Sequence, residues 1–220
     1  MGSEMCIRDR TYTNSSKMTN NFLIRKVAKP LIFIASLLPL AWIIWMVVIG
    51  DVGVGLNANP VEMVNRYLGD WAIRFILITL SITPIAIVTG WSTLVRYRRM
   101  IGLFAFAYAL LHVANYVIAD QSLNWPDIWA DIIKRKYITV GMVTFFILFA
   151  LAITSPKAAI KRLGARRWRL IHRSVYLAGI GAVIHYWMMV KADLTQPIIH
   201  AVILVILLGY RTLKFQRGSE

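Results

Sequence analysis

Six long apolar runs constrain this chain more than any other feature of its sequence. Each run has 17 to 19 residues and few charges, and about 20 apolar residues in a helix are enough to cross the hydrocarbon core of a bilayer. None of the runs alternates apolar and polar residues with period two, which disfavours a membrane β-barrel. The sequence therefore predicts an all-α fold, an integral membrane bundle of six transmembrane helices. The runs are Leu31–Ile49, Trp71–Thr89, Ile101–Ile118, Ile138–Thr154, Ser174–Val190 and Pro197–Leu213.

The composition excludes several other classes of protein. A chain of 220 residues that is 58% hydrophobic is too apolar for a soluble domain. The same hydrophobicity excludes a disordered chain, because disordered chains combine high charge with low hydrophobicity. The 25 Lys and Arg residues lie mostly between the apolar runs, whereas a nucleic-acid-binding domain carries its basic residues on a soluble fold. Cys6 is the only cysteine, so neither a disulfide framework nor covalent haem attachment through a CxxCH motif is possible.

The charges between the runs predict how the chain is oriented. The net charge of successive segments alternates, giving +16 on one side of the membrane, with Arg211 at the end of the sixth run counted in the C-terminal tail, and −2 on the other; Arg74 inside the second run completes the total of +15. Because Lys and Arg are enriched in cytoplasmic loops, we expect both termini to be cytoplasmic.

The segments outside the runs are short. Residues 1–17 are polar and precede a second methionine, and we interpret them as an artefactual or disordered extension. We expect residues 18–30 and 214–220 to be cytoplasmic tails, and residues 31–213 to form the six-helix domain. No aqueous segment exceeds about 30 residues, whereas a nucleotide-binding domain takes well over about 100. The function should therefore lie within the bilayer or at its faces.

Two histidines lie at the same depth in neighbouring runs. His112 follows Ile101 by eleven residues, and His185 follows Ser174 by eleven. At 1.5 Å per residue, both rings would lie about 16 Å from the cytoplasmic edge. An ionisable residue inside a membrane span indicates function by default, and two imidazoles at one depth are typical of a metal or haem held between helices.

Small residues precede both histidines on their helix faces, which favours haem over a bare ion. Such a face leaves room for a flat macrocycle, although tight helix packing in membranes uses the same residue types. No acidic or sulfur ligand lies at that depth, which disfavours zinc or copper. The two faces are Gly102, Ala105, Ala109, His112 and Tyr116, and Ser174, Ala178, Gly181, Ala182 and His185.

A second site is possible at the cytoplasmic ends of the same helices. His172 lies 13 residues before His185, and Arg98 and Arg99 occupy the corresponding level of the third run. His172 could ligate a second haem opposite an arginine, or it could be a solvated interfacial histidine. The arginines could bind haem propionates or anchor the helix, and Arg74 could bind a propionate of the outer haem or extend to the interface.

These motifs resemble the MsrQ (YedZ) family, of the ferric-reductase-like transmembrane superfamily. The resemblance covers about residues 20–215 and rests mainly on the histidine segments at 98–112 (RRMIGLFAFAYALLH), 168–177 (WRLIHRSVYL) and 185–191 (HYWMMVK). Supporting segments are 55–62 (GLNANPVE), 71–75 (WAIRF), 82–84 (ITP) and 137–141 (YITVG).

The resemblance implies a membrane electron-transfer subunit in the bacterial inner membrane. It implies one or two b-type haems on His112, His185 and His172, with Arg98 as a participant at the inner site, and an associated FMN for which the chain shows no motif. Electrons would come from the quinone pool or a cytoplasmic flavin reductase and go to a periplasmic molybdenum-cofactor partner, MsrP, which reduces methionine sulfoxide in oxidised envelope proteins. No substrate chemistry is then expected on this chain. The alternatives are a transmembrane ferric or cupric metalloreductase and a haem-free scaffold or transporter.

Overall fold

The computed structural model describes residues 24–49, 59–190 and 192–217, and all regular structure in these ranges is helical. This confirms the predicted all-α class for the described part of the chain. The helices are α1 (Lys29–Val48), α2 (Pro60–Thr89), α3 (Arg98–Asn115), α4 (Trp125–Lys134), α5 (Lys136–Ile153), α6 (Lys157–Arg173), α7 (Val175–Met189) and α8 (Thr195–Arg217). Short π-helical turns precede α1 and follow α3, and a 3₁₀ turn, Ser92–Tyr97, precedes α3.

The chain divides into two compact units, Met1–Ile44 and Trp45–Glu220. In the described part of the first unit, α1 is strongly apolar and the hydroxyl of Ser36 donates to the carbonyl oxygen of Ile32 one turn earlier, at 2.7 Å. A serine in an apolar helix is satisfied within its own backbone in this way. The second unit holds the candidate site.

Within the described ranges, five helical segments are long and apolar enough to cross a membrane. They are Lys26–Val48, Pro60–Thr89, Ser92–Asp120, Lys136–Ile153 and Thr195–Leu213. The sixth predicted run, Ser174–Val190, forms α7, which has 15 residues and a length of about 22 Å. By length alone α7 falls short of a span, so six spans are not confirmed. The extension predicted for residues 1–17 lies outside the described residues.

Helices α2 and α8 show the largest extensions beyond the predicted runs. Helix α2 begins eleven residues before Trp71, because Asn59 caps it by accepting a hydrogen bond from the amide of Glu62 at 3.2 Å, and Pro60 occupies its first turn. It ends at Thr89, and Gly90 caps it with a φ of 75°, in the left-handed region. Helix α8 continues to Arg217 instead of ending at Leu213.

Four helices of the second unit form a closed ring. The packed pairs are α2 with α3, α3 with α5, α5 with α7 and α7 with α2, and α8 packs against α2 and α7. Aromatic side chains fill the α2–α3 contact, where the ring of Phe75 lies 5.9 Å from that of Phe104 and 5.1 Å from that of Tyr108. Helices α3 and α7, which carry His112 and His185, are therefore not sequential neighbours in this four-helix ring but face each other across it.

Candidate functional site

His112 and His185 come together between the four packed helices α2, α3, α5 and α7. Their ring centroids lie 6.1 Å apart, and the ring planes are nearly perpendicular, at 83°. Two imidazoles on opposite faces of one metal ion, with metal–nitrogen bonds of about 2.0 Å, have centroids about 6 Å apart. The separation therefore suits two ligands of a single metal.

The hydrogen bonds of the two rings leave one nitrogen of each available. Nδ1 of His112 lies 2.8 Å from the carbonyl oxygen of Asn65 on α2, and Nδ1 of His185 lies 2.7 Å from the carbonyl oxygen of Tyr137 on α5. A carbonyl oxygen only accepts, so each Nδ1 carries the proton and donates it. Nε2 then holds the lone pair that a metal requires.

A cavity of about 460 Å³ adjoins both histidines, within the usual size range of cofactor pockets. Its walls are largely apolar, with Ala109 and Ala182 one turn from the two histidines. Its lining also includes two cations, Arg66 and Arg135.

Arg66 and Arg135 each have an acidic partner on the same helical segment. Arg66 pairs with Glu62 at 2.5 Å, and Arg135 pairs with Asp131 at 3.2 Å. A hydrogen bond from Arg135 to the Tyr137 hydroxyl is the main influence that raises the pKa of this already basic guanidinium. A guanidinium that lines the cavity can neutralise an acidic group of a cofactor.

The residues around this cavity fit a haem better than a bare ion. Within residues 24–49, 59–190 and 192–217, no group of three or more His, Cys, Asp or Glu side chains could hold a metal ion. A structural or catalytic zinc needs at least three protein ligands, whereas haem iron needs only one or two. In addition, the side-chain oxygen of Asn65 is buried without a hydrogen-bond partner and Asn65 lines the cavity. A polar atom of that kind is usually satisfied by a ligand or a water.

His172 lies in a separate cluster near the start of α3. Its ring stacks on Trp168 with centroids 4.0 Å apart, and its Nδ1 donates to the Trp168 carbonyl at 3.2 Å. Burial lowers the pKa of His172, against the effect of that hydrogen bond, and the charges of Arg98 and Arg99 lower it further. The effect of these two charges places the ring near Arg98 and Arg99, the arginines expected at its level from the sequence.

Known proteins resemble this chain along most of its length. A family model described as the ferric reductase like transmembrane component matches residues 68–183. The protein-methionine-sulfoxide reductase heme-binding subunit MsrQ of Rhodospirillum rubrum is 48% identical over 180 residues, 82% of this chain and 85% of that protein. The MsrQ of Caulobacter vibrioides is 42% identical over 190 residues, 86% of this chain and 89% of that protein. The chain belongs to the MsrQ family. The resemblance found from the histidine motifs is thus confirmed. The apolar helices of the chain make it a multi-pass membrane protein.

A second group of relatives consists of longer proteins, which match this MsrQ-family chain over only part of their own length. The magnetosome protein MamZ of Paramagnetospirillum magneticum is 41% identical over 193 residues, which are 87% of this chain but 30% of that protein. The magnetosome protein MamZ of Magnetospirillum gryphiswaldense is 42% identical with the same coverage. The membrane domain of the MsrQ family therefore also occurs within longer proteins.

The remaining sequence-derived residues of this MsrQ-family chain have other partners. Arg74 pairs with Asp70 at 3.4 Å and lies 5.1 Å from the ring centroid of Trp71, and it is not among the residues lining the cavity. His200 is buried and donates to the carbonyl of Gln196 on its own helix at 2.7 Å. Of the small-residue faces, Ala109 and Ala182 line the cavity, while a Cβ on Gly102 would contact Thr79 and one on Gly181 would clash with Thr144.

The residues that surround the two histidines in this MsrQ-family site are not among those that the sequence motifs indicated. Asn65 and Tyr137 accept the Nδ1 protons, and Arg66 and Arg135 line the cavity. The signal that could have found the first two is a repeated spacing. Asn65 precedes His112 by 47 residues and Tyr137 precedes His185 by 48, and each is followed by a glycine four residues later.

Proposed function

We propose that this chain is the haem b-carrying membrane electron-transfer subunit of a protein-methionine-sulfoxide reductase system. The observation that carries the proposal is the pair His112 and His185, with ring centroids 6.1 Å apart beside the cavity. The relatives named heme-binding subunits of protein-methionine-sulfoxide reductase support it.

The residues of the cavity have separate roles in this proposal. His112 and His185 hold the iron through Nε2, because Nδ1 of each ring donates to a backbone carbonyl. The small side chains of Ala109 and Ala182 leave space beside them, and Arg135 neutralises acidic groups of the cofactor. Haem supplies one-electron transfer, and the protein sets its ligands, burial and electrostatics. His172, with Arg98, holds a second haem near the other end of α3.

The electron route follows from the proposed topology. We place six spans in the bacterial inner membrane with both termini cytoplasmic, on the charge difference of +16 against −2. Helix α7 then crosses together with the end of α6, from which only Ser174 separates it. Electrons enter from the quinone pool or a cytoplasmic flavin reductase, with FMN as an associated cofactor. They leave at the outer face for a periplasmic molybdenum-cofactor reductase of the MsrP type, which repairs oxidised envelope proteins.

Optical spectroscopy and reoxidation test this function. The purified protein should show a Soret band and, after reduction, the α-band of a low-spin b-type haem. With oxygen excluded and the molybdenum-cofactor partner present in catalytic amount, the reduced protein should be fully reoxidised only when a methionine-sulfoxide substrate is also present. The partner alone should accept only the few electrons that its own cofactor can hold, and the substrate alone should accept none. A colourless, folded preparation would contradict the haem proposal.

A second candidate, a transmembrane metalloreductase, is favoured by the ferric reductase description of the matching family. In the same experiment, ferric citrate and a cupric salt replace the partner and its substrate. Rapid reoxidation by either metal, together with slow reoxidation by the partner, would favour the metalloreductase over the repair function. The reverse result supports the proposal.

A further inference from the structure

Two glycines lie directly against the two histidine rings. A Cβ atom on Gly69 would lie 3.1 Å from Nδ1 and 3.2 Å from Cε1 of His112. A Cβ atom on Gly141 would lie 2.8 Å from Nδ1 and 2.8 Å from Cε1 of His185. The two distances of 2.8 Å at Gly141 are shorter than the contacts that Cβ atoms make in proteins, so no other residue can occupy position 141 without displacing the His185 ring.

Each glycine lies four residues after the carbonyl that accepts the histidine proton. In a helix, the carbonyl of residue i already accepts the amide proton of residue i+4, but a carbonyl oxygen has a second lone pair. Because Gly69 has no side chain, the ring of His112 can lie against α2 and reach the second lone pair of Asn65. Gly141 gives His185 the same access to the carbonyl of Tyr137 on α5.

The same arrangement therefore occurs twice, each time between a ligand helix and a neighbouring helix. Helix α3 carries His112 and α2 carries its acceptor, while α7 carries His185 and α5 carries its acceptor. These two helix pairs are the most extensively packed in the second unit. We call each combination of a carbonyl and the glycine four residues later a socket: Asn65 with Gly69, and Tyr137 with Gly141.

We propose that the two sockets are positioning elements that fix the tautomer and the rotation of His112 and His185. The proposal rests on the proposed haem function. A hydrogen bond to the second ring nitrogen fixes a metal-ligating histidine and raises its basicity, and its loss typically costs about 10- to 100-fold in metal affinity. A methyl group in either socket should therefore weaken haem binding and shift the midpoint potential to more positive values, because a less basic ligand stabilises the oxidised iron less.

Alanine substitutions with a matched control test this role. Gly69→Ala and Gly141→Ala are compared with Gly179→Ala, where a Cβ would lie 3.2 Å from Leu204 and 3.3 Å from Leu80, with no ligand-ring atom among its three nearest neighbours. Gly209→Ala, with no atom within 4 Å of its Cβ, controls for substitution itself. The measurements are haem per protein and the midpoint potential. Both socket variants should lose affinity by about 10-fold or more and shift in potential, and the two controls should keep the wild-type potential.

A ligand-replacement experiment tests the hydrogen bond to Asn65 with a free ligand. In His112→Gly the side-chain ring is absent, and an added imidazole can take its place with its own N–H directed at the Asn65 carbonyl. Imidazole should restore a low-spin spectrum to His112→Gly. 1-Methylimidazole, which has no proton for the Asn65 carbonyl and carries a methyl group at that position, should bind at least about 10-fold more weakly. With Gly69→Ala added, imidazole should lose this advantage.

The outcomes separate this inference from the proposed function. If the wild-type protein holds no haem, the proposed function fails. If it holds haem but Gly69→Ala and Gly141→Ala keep the potential of Gly179→Ala, the sockets have no positioning role and the function stands. Equal affinities of imidazole and 1-methylimidazole for His112→Gly would overturn the socket at Asn65 as well.

Discussion

Arg211 donates a hydrogen bond from Nη2 to the carbonyl oxygen of Leu80, at 2.7 Å, and so joins α8 to α2. Leu80 lies four residues before Pro84, which has no amide proton and leaves this carbonyl without its helical partner. In a membrane such a group is costly unless a neighbouring helix satisfies it. Arg211 also donates to the hydroxyl of Tyr176 on α7, so a single side chain ties three helices together.

We predict that Arg211→Met destabilises the protein, because it leaves the Leu80 carbonyl unsatisfied. The loss should be about 1–2 kcal/mol, measured by thermal or denaturant unfolding in detergent. In a Pro84→Ala background, residue 84 can donate to Leu80, and the cost of Arg211→Met should be smaller. The Tyr176 contact is lost in both backgrounds, so an equal cost in both would show that the carbonyl does not account for the effect.

We predict that His112→Ala or His185→Ala removes most of the haem absorbance, because each ring supplies one ligand to the iron. His200→Ala is the matched control, since His200 is also a buried histidine but donates to Gln196 on its own helix. It should keep the wild-type Soret band. Retention of that band in both ligand variants would show that the ligand assignment is wrong.

We predict that His172→Ala removes only part of the haem, because its ring lies in the Arg98 and Arg99 cluster and does not line the cavity beside His112. A redox titration of the wild-type protein should resolve two transitions, and the variant should lose one of them. An unchanged titration would argue against a second haem, and loss of both transitions would argue against two separate sites.

We predict that Arg135→Gln weakens haem binding more than Arg74→Gln does. Arg135 lines the cavity, whereas Arg74 is not among its lining residues and stacks on Trp71. Haem affinity can be measured by titrating the apoprotein with haem. The two substitutions remove the same charge, so equal effects would mean that net charge, not position, controls binding.

Local sequence patterns were sufficient for much of the architecture. The length of the apolar runs predicted a helix in each of them, and the equal offsets of His112 and His185 predicted that their rings belong together. The run from 174 to 190 shows where that reasoning stops. Its apolar character was evident, but the short helix α7 depends on where α6 ends, at the turn around Ser174.

What the sequence determined by itself is the all-helical class, the MsrQ-family resemblance and the candidate ligands, because these follow from residues close together along one helix. Only the tertiary structure decided which backbone carbonyls meet the two histidines, which arginines line the cavity, and that Arg211 completes the helix interrupted by Pro84. Those contacts join residues 47 to 131 positions apart. They depend on the packing of α2 against α3 and α8 and of α5 against α7, and the sequence of one helix contains no information about which neighbour a given face will meet.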